Sequence, residues 1–212
     1  MKLRLLPIVA LMLPLMALSA EVGDVVKFDA PPQKVGRDVM QAFANRKSGT
    51  SFSGRPVPVK DLGNILWAAN GINRPESGMR TAPSALNKQD IDIYIFDQKN
   101  VYKYDPKPHA MNLVVKGDHR SLFTERMKTP VIILLVSDVS KFDGGGYGTE
   151  DDFRRMGAFD AGIVSQNISI YCSALGIATR VRASMDGPGI QKLLGLSAKQ
   201  IPMLNHAVGY NK

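Results

Sequence analysis

A polar loop directly before a predicted strand is the first stretch of the chain with residue types suited to binding. The segment RTAPSALNKQDIDIYIF, residues 80–96, joins a proline turn, two small residues and Asn87 to a run of alternating large apolar residues. Loops that hold ligands are commonly mounted on such rigid elements, but Asn is also a common turn residue. From its residues alone, the segment is either a binding loop or an ordinary turn.

Several kinds of catalytic chemistry have no signature in the sequence. Cys172 is the only cysteine, so no intrachain disulfide can form, and its apolar surroundings favour a small buried residue. His109, His119 and His206 are far apart and lack the spacing of metal ligands, so each is interpreted as a surface or satisfied core residue. A serine nucleophile elbow and a Walker-type phosphate loop are also missing. We therefore expect neither a hydrolase nor a metal site.

The N-terminal residues have the three-part pattern of a secretory signal peptide. Lys2 and Arg4 precede an apolar run over residues 5–18, and small residues suited to cleavage follow near Ala20. The run is short for a membrane span, which needs about 20 apolar residues, and two prolines interrupt it. We expect residues 1–20 to be removed on export, leaving a periplasmic or otherwise exported protein without stable membrane insertion.

The remaining residues, 21–212, suit a single domain, because a chain of about 190 residues can bury a sizeable core. Two of the 27 basic residues lie in the signal segment, which leaves 25 against 19 acidic residues and a charge of +6. These charges are dispersed, and no basic run interleaved with aromatic residues indicates a nucleic-acid surface.

Apolar periodicity predicts four helices in this domain. One apolar face is present in each of two helical segments, GRDVMQAFANR and VKDLGNILWAANG. Gly71 is interpreted as a left-handed stop for the second of these helices. FDAGIVSQNISIYCSALG is apolar almost all round, which predicts a helix buried on every side, at a domain centre or a subunit interface. Asp186 is placed to cap a last helix over GPGIQKLLGL.

Alternating and continuous apolar runs predict the strands. Single strands are predicted in DIDIYIF, IATRVR and, as a short strand, HAVGY, and two short strands are predicted in VYKYDPKPHAMNLVV. The segment PVIILLV is apolar enough for a central strand buried on both faces. Helices and strands intermingle without a regular repeat, so the sequence indicates an α+β sheet with helices on both sides.

Three segments of the chain also match one protein family in order and spacing: RKSGTSF, APSALNKQ and DAGIVSQNISIYCSALGIAT. Together they resemble the FMN-dependent nitroreductase superfamily, and residues 65–85 are similar to its branch of thiazoline- and oxazoline-oxidising dehydrogenases. The resemblance covers roughly residues 37–210. It implies a homodimer of α+β subunits, each with a mixed central sheet, and one FMN at each interface built from both chains.

The resemblance assigns the flavin phosphate to the first of these segments. Arg46 and Ser48 correspond to the residues that hold the phosphate, with Lys47 between them. Arginine offers planar bidentate donors to a phosphate, and a hydroxyl adds a donor without bulk. From the residues alone, this segment also fits a solvated helix end.

The flavin ring is assigned to the other two segments. Asn87 corresponds to an amide that bonds the polar edge of the isoalloxazine, which it can do as donor and acceptor. Ala183 and Ser184 match the loop whose backbone N–H faces the flavin nitrogen that accepts hydride. Arg180 and Arg182 are either strand-edge charges or flavin or substrate contacts. The residues matched to the wall of the ring site are Pro83, Ser84 and Ala85.

Two departures from the family pattern concern basic residues. Thr50, an uncharged donor, stands where many members have Arg or Lys at the pyrimidine end of the ring. The chain stops at Lys212, without the longer tail that brings extra phosphate-binding basic residues in some relatives, so Lys212 is the residue available to substitute.

The resemblance implies an FMN-dependent oxidoreductase that transfers hydride by a ping-pong mechanism from a reduced donor to an electron-poor acceptor such as a nitroaromatic or a quinone. No catalytic acid–base side chain is expected, because the flavin supplies the hydride chemistry and solvent supplies protons. The alternative is a flavin-poor protein that keeps the fold and dimer and binds another small ligand. This alternative is favoured by the weakened phosphate site of the chain and by the scarcity of nicotinamide donors outside the cytoplasm.

Overall fold

The computed structural model of the chain describes residues 24–32, 34–123, 129–144, 146 and 148–212, and its centre is a seven-stranded sheet. The strands are β1 (Val25–Lys27), β4 (Ile91–Phe96), β5 (Asn100–Asp105), β6 (Ala110–Lys116), β7 (Val131–Asp138), β8 (Ala178–Arg182) and β9 (Gln200–Gly209), while β2 (Ile72–Arg74) and β3 (Met79–Arg80) form a separate hairpin. The helices of the described residues are α1 (Val39–Asn45), α2 (Val59–Asn70), α3 (Glu150–Leu175) and α4 (Gly187–Leu194).

The large sheet runs in the order β1-β6-β5-β4-β7-β9-β8. The pairings between its strands are antiparallel. An isolated parallel bridge joins Ser48 to Thr179 at the β8 edge, so parallel pairing enters the sheet through this bridge. The predicted α+β class is confirmed.

Side-chain alternation along β4 divides the core into two layers. Ile91, Ile93 and Ile95 pack with residues of α2 and α3 on one face of the sheet. Tyr94 and Phe96 lie on the other face in a cluster that includes Ile190 of α4. Because successive residues of a strand point to opposite faces, both faces need a helical cover. The prediction of helices on both sides is confirmed, as is the prediction that β7 is a buried central strand.

Helix α3 is apolar on two sides, but the sheet covers one of them. Ala161, Val164 and Ile168 are buried, whereas Phe159 keeps 63% of its surface exposed and Ile163 keeps 36%. The prediction of a helix buried on every side is therefore wrong for a single chain, because one sheet face covers one side of a helix. A subunit interface, the other alternative, accounts for the exposed side and stays a prediction.

Helix α2 ends at the predicted place but by a different mechanism. Gly71 has a φ of −73°, so the prediction of a left-handed stop is wrong. A Cβ added at Gly71 would lie 2.3 Å from Trp67 Cδ1 and 2.7 Å from the Trp67 carbonyl oxygen, so close packing is what requires glycine. Trp67 Nε1 donates to the Ile72 carbonyl at 3.1 Å and holds the chain as it turns into the β2–β3 hairpin.

The C-terminal elements follow the prediction with one difference in length. Asp186 caps α4 as predicted, its Oδ1 accepting from the Gly189 N–H at 3.0 Å. The predicted short strand HAVGY is the end of the ten-residue β9. The first five residues of β9 are only partly buried, so apolar alternation is weak there and did not indicate a strand.

Within the described residues, none of the helices has the length and apolar character needed to cross a membrane. The predicted signal peptide, residues 1–20, lies outside the described residues.

Candidate functional site

A cavity of about 600 Å³ lies where the segment after α1, the C-terminal end of α3, the start of β8 and the C-terminus meet. Three cationic residues line it: Arg37, Lys47 and Lys212. The described lining contains no acidic residue. The other polar residues of the lining carry hydroxyls or amides: Asn45, Ser48, Thr50, Ser51, Ser169, Ser173, Thr179 and Asn211. A cavity with this lining favours an anionic, hydrogen-bonding ligand.

Backbone hydrogen bonds hold the segment after α1 in place at the cavity. The Gly49 N–H donates to the Thr179 carbonyl at 2.8 Å, beside the bridge between Ser48 and Thr179. Farther along, the Ser53 N–H donates to the Tyr210 carbonyl at 2.7 Å. The segment is therefore fixed to β8 at one end and to the C-terminus at the other. This brings together four of the predicted cofactor residues, Lys47, Ser48, Thr50 and Lys212.

A buried imidazole supports the wall of the cavity. His206 is fully buried, with Nε2 2.8 Å from Ser165 Oγ and Nδ1 3.0 Å from Thr179 Oγ1. Burial lowers the pKa of His206 to about 3, so the ring is neutral at ordinary pH. Thr179, whose hydroxyl is bonded to this ring, lines the cavity.

The three histidines lie in the core or near the surface, and the cysteine is buried. His206 is a satisfied core residue, His109 Nδ1 lies 2.9 Å from the Tyr104 hydroxyl, and His119 Nε2 lies 3.0 Å from the Lys116 carbonyl oxygen near the surface. Cys172 is fully buried, and burial raises the pKa of its thiol. No cluster of three or more potential metal-ligating side chains occurs among the described residues.

The loop 83–89, the predicted ring-binding loop, is held by a carboxylate from α3. The Ala85 N–H donates to both oxygens of Asp160, at 3.0 and 2.8 Å, and Asp160 is 2% exposed. Ser84 Oγ accepts from the Gln89 N–H at 2.8 Å. Leu86, Asn87 and Gln89 have positive φ angles of 53°, 53° and 48°. Such angles are costly for non-glycine residues, so the loop has a specified shape that its surroundings maintain.

The remaining predicted residues lie outside the cavity lining. Arg46 is exposed at the C-cap of α1, where its N–H donates to the Phe43 carbonyl. Ala183 and Ser184 are exposed after β8, and the Ser184 carbonyl accepts from Asn205 Nδ2 at 3.2 Å. Pro83 and Asn87 are also exposed, and Ser84 and Ala85 are partly buried in the 83–89 loop. Their roles toward a cofactor stay predictions.

Helix α3 keeps the two groups of predicted residues apart in one chain. Asp160 holds the 83–89 loop, whereas Ser173, thirteen residues farther along the same helix, lines the cavity. At 1.5 Å per residue, that spacing is about 20 Å. In one chain the cavity and the 83–89 loop are therefore two separate groups of candidate residues.

A buried carboxyl pair lies beneath the loop. Asp90 is fully buried, its Oδ2 accepts a hydrogen bond from Ser137 Oγ, and the Asp160 carboxyl lies close by. The pKa of Asp90 is raised to about 7, mainly by burial and secondly by the neighbouring Asp160 carboxyl. A protonated Asp90 removes the repulsion between two buried carboxylates.

Sequence reasoning missed the supporting contacts made by Arg37, Asp90, Asp160 and His206. An acidic residue inside an otherwise apolar helix was available as a signal for Asp160, because a buried carboxylate needs a partner. Arg37 and His206 act through contacts with residues far along the chain, which periodicity does not reveal.

The strand order, the long α3 and the helical cover on both faces define the nitroreductase fold. A model of the Nitroreductase family matches residues 43–210, and the chain belongs to this family. The family resemblance drawn from the three sequence segments is thereby confirmed.

Solved structures show the same fold. A Ralstonia eutropha JMP134 protein assigned to the nitroreductases has a TM-score of 0.83 and 27% identity, with 90% of each chain covered. In the E. coli microcin synthetase McbBCD complex with truncated pro-MccB17 bound, a chain has a TM-score of 0.68 and 20% identity, covering 79% of this chain and 70% of that one. A Staphylococcus epidermidis protein assigned as an NAD(P)H:FMN oxidoreductase has a TM-score of 0.62 and 13% identity, and the match covers 86% of this chain and 91% of that one. The latter two likenesses show the fold alone, and no match was found among curated proteins.

The raised pKa of Asp90 predicts a pH-dependent contribution to stability. Between about pH 4 and pH 7 the folded chain binds a proton at Asp90 that the unfolded chain has released, so this contribution is full below pH 4 and is lost as the pH rises through 7. Asp90→Asn cannot ionise, so its free energy of unfolding relative to wild type should rise across this range, by at most about 1.4 kcal/mol per pH unit. Urea denaturation at pH 4.5, 6 and 8 measures the difference. A difference that is the same at all three pH values would contradict the assignment.

Proposed function

We propose that the protein is an exported FMN-dependent oxidoreductase that transfers hydride by a ping-pong mechanism from a reduced donor to an electron-poor acceptor, such as a nitroaromatic or a quinone. Family membership supports the redox class, and the cationic cavity is the observation that carries the cofactor assignment. The name of the Staphylococcus epidermidis neighbour includes FMN, which supports the same cofactor. Export is proposed from the pattern of residues 1–20.

The residues of the cavity fit the phosphate end of FMN. Lys47 and Lys212 supply positive charge, and Ser48 supplies a hydroxyl donor, all in one cavity without an acid in its described lining. Charge-assisted hydrogen bonds of this kind are the strong ones for phosphate. The volume of about 600 Å³ is within the range of small-molecule and cofactor pockets. Thr50, which lines the same cavity, is proposed as an uncharged donor to the ring.

The 83–89 loop fits the edge of the flavin ring. Asn87 is exposed on a loop whose backbone Asp160 holds, so its amide is available to a ligand and its backbone is anchored. Ala183 and Ser184 have exposed positions after β8, where a backbone N–H can face the ring. Bound FMN supplies the hydride chemistry, and the chain binds, orients and shields it. Protons come from solvent, so no side chain is assigned as a catalytic acid or base.

In the proposed homodimer, the cavity of one copy and the 83–89 loop of the other are the two halves of one site. A two-fold axis that crosses two copies of α3 in antiparallel directions brings the 83–89 loop of one copy toward the cavity of the other. This arrangement removes the separation of about 20 Å within one chain. The exposed apolar side chains support it: Phe159 and Ile163 on α3, and Val39, Met40 and Phe43 on α1. Large exposed apolar side chains of this kind favour an interaction site.

A second candidate function is a flavin-poor small-ligand-binding protein with the same fold and dimer. Thr50 favours it, because it lines the cavity where many relatives carry a cation. The exposed position of Arg46 outside the cavity favours it as well.

The absorption spectrum separates the two functions. We expect protein incubated with FMN and freed of excess cofactor to be yellow, with the visible absorption bands of bound flavin. A reduced nicotinamide should then bleach these bands, and a quinone or nitroaromatic should restore them. A colourless protein that cannot be loaded with FMN would overturn the enzyme and favour the second candidate.

The dimer predicts a specific loss of association. Phe159→Arg places a charge in the exposed apolar face of α3 and should convert the protein from twice the chain mass to the chain mass, as measured by light scattering. Val114→Arg is the matched control, because Val114 is 42% exposed on β6, away from that face. A Phe159→Arg protein that remains a dimer would contradict the interface. A wild-type monomer that binds flavin would contradict the shared site as well.

The shared site predicts complementation between two defective chains. Ser48→Glu puts a negative charge into the cavity, and Asn87→Ala removes a ring contact worth about tenfold in affinity. In a mixed dimer of the two variants, both changes fall in one site and the other site is unaltered. Mixed dimers isolated with two affinity tags should therefore bind one FMN per dimer with wild-type affinity. If each site came from one chain, no site of the mixed dimer would have wild-type affinity.

A further inference from the structure

Arg37 is a cavity residue that belongs to none of the segments resembling the family. It lines the cavity together with Lys47 and Lys212, and it also lines a neighbouring groove of about 470 Å³ between α1, α2 and α3. Nothing in the sequence pattern around residue 37 indicates a ligand. Its position follows from a contact with the far end of α3.

Two hydrogen bonds fix Arg37 on the C-terminal end of α3. Its backbone N–H donates to the Ala174 carbonyl at 3.1 Å, and its Nη1 donates to the Ser173 carbonyl at 2.9 Å. Gly36 makes this approach possible, because it has a φ of +51° and an added Cβ would lie 2.0 Å from the Ala174 carbonyl oxygen. The segment is therefore shaped to bring the guanidinium to this helix end.

The helix end that Arg37 contacts is electrostatically unfavourable for an anion. The last carbonyls of a helix carry partial negative charge, and α3 is 26 residues long. Ser173 and Gly176, at this end, line the cavity. A phosphate in the cavity would therefore meet a wall of the wrong sign, unless a cation neutralised it.

The guanidinium has donors left after it binds the helix. Arginine carries five N–H groups in a planar fork. Among the described residues, the Ser173 carbonyl is the acceptor of its side-chain hydrogen bond. The other edge of the fork is available to an anion in the cavity.

We propose that Arg37 is a phosphate-binding residue, whose guanidinium neutralises the C-terminal end of α3 on one edge and binds the phosphate group of the cofactor on the other. The inference rests on the proposed function for the identity of the cofactor, since FMN carries the phosphate. It gives the cavity a third cation, held on the C-terminal end of α3, in a chain that has Thr50 in place of a basic residue. Arg37 thus contributes to the discrimination between FMN and riboflavin, which has the same ring without the phosphate.

The test compares FMN, riboflavin and inorganic phosphate on matched variants. Arg37→Gln keeps a donor for the Ser173 carbonyl but loses the charge, and Arg37→Ala loses both. Lys60→Ala, at an exposed position in the first turn of α2, removes the same charge away from the cavity. Fluorescence quenching gives the flavin affinities, and the shift of the thermal midpoint with added phosphate gives phosphate binding.

Both Arg37 variants should weaken FMN by about ten- to hundredfold, leave riboflavin within about twofold, and lose the phosphate-induced thermal shift. Lys60→Ala should change none of these. Equal losses for FMN and riboflavin, or no loss for FMN, would overturn the proposal, because Arg37 would then serve only the fold or nothing in the site.

The proposed function can fail separately from this inference. If the wild-type protein binds neither flavin but shows a phosphate-induced shift that Arg37→Gln abolishes, FMN is wrong and the phosphate-binding role of Arg37 stands. If the wild-type protein binds neither flavin nor phosphate, both are overturned.

Discussion

The burial of α3 against one face of the sheet is the interaction on which the rest of the structure depends. Its inner side contributes Ala161, Val164 and Ile168 to the same core as the isoleucines of β4. Once that layer is packed, Asp160 is fixed beneath the 83–89 loop and Ser173 is fixed beside the cavity. The helix therefore sets the positions of the loop and of the cavity and the distance between them. Its outer side, with Phe159, is left for another surface to cover.

Patterns that act over a few residues predicted most of the fold. The alternation in β4 and the continuous apolar run of β7 identified the strands at the centre of the sheet, because burial on one or both faces leaves a direct trace in residue type. The cap at Asp186 is equally local. Gly71 shows where such reasoning fails: glycine at a helix end was interpreted as a need for positive φ, but the structure shows a need for space beside Trp67.

Only part of the candidate site could likewise be predicted from local sequence patterns. The motif near the N-terminus identified Lys47, Ser48 and Thr50, and the structure gathers them in one cavity with Lys212. The residues that hold the site together were not predictable, since they act across large separations in sequence. Ala85 and Asp160 are 75 residues apart, and Arg37 and Ser173 are 136 residues apart. Neither pair leaves a periodic signal, because each contact depends on how complete elements pack.

The buried chain of Ser165, His206 and Thr179 has a consequence for the range of ligands that the cavity can accept. A neutral imidazole donates from one ring nitrogen and accepts at the other, and a hydroxyl can do either. The chain therefore has two tautomeric arrangements with the same number of internal hydrogen bonds, related by moving the ring proton and turning both hydroxyls. In one arrangement Thr179 keeps a hydroxyl proton to donate, and in the other it keeps a lone pair to accept. Thr179, a residue of the cavity lining, can therefore change between donor and acceptor while the buried imidazole keeps both of its hydrogen bonds.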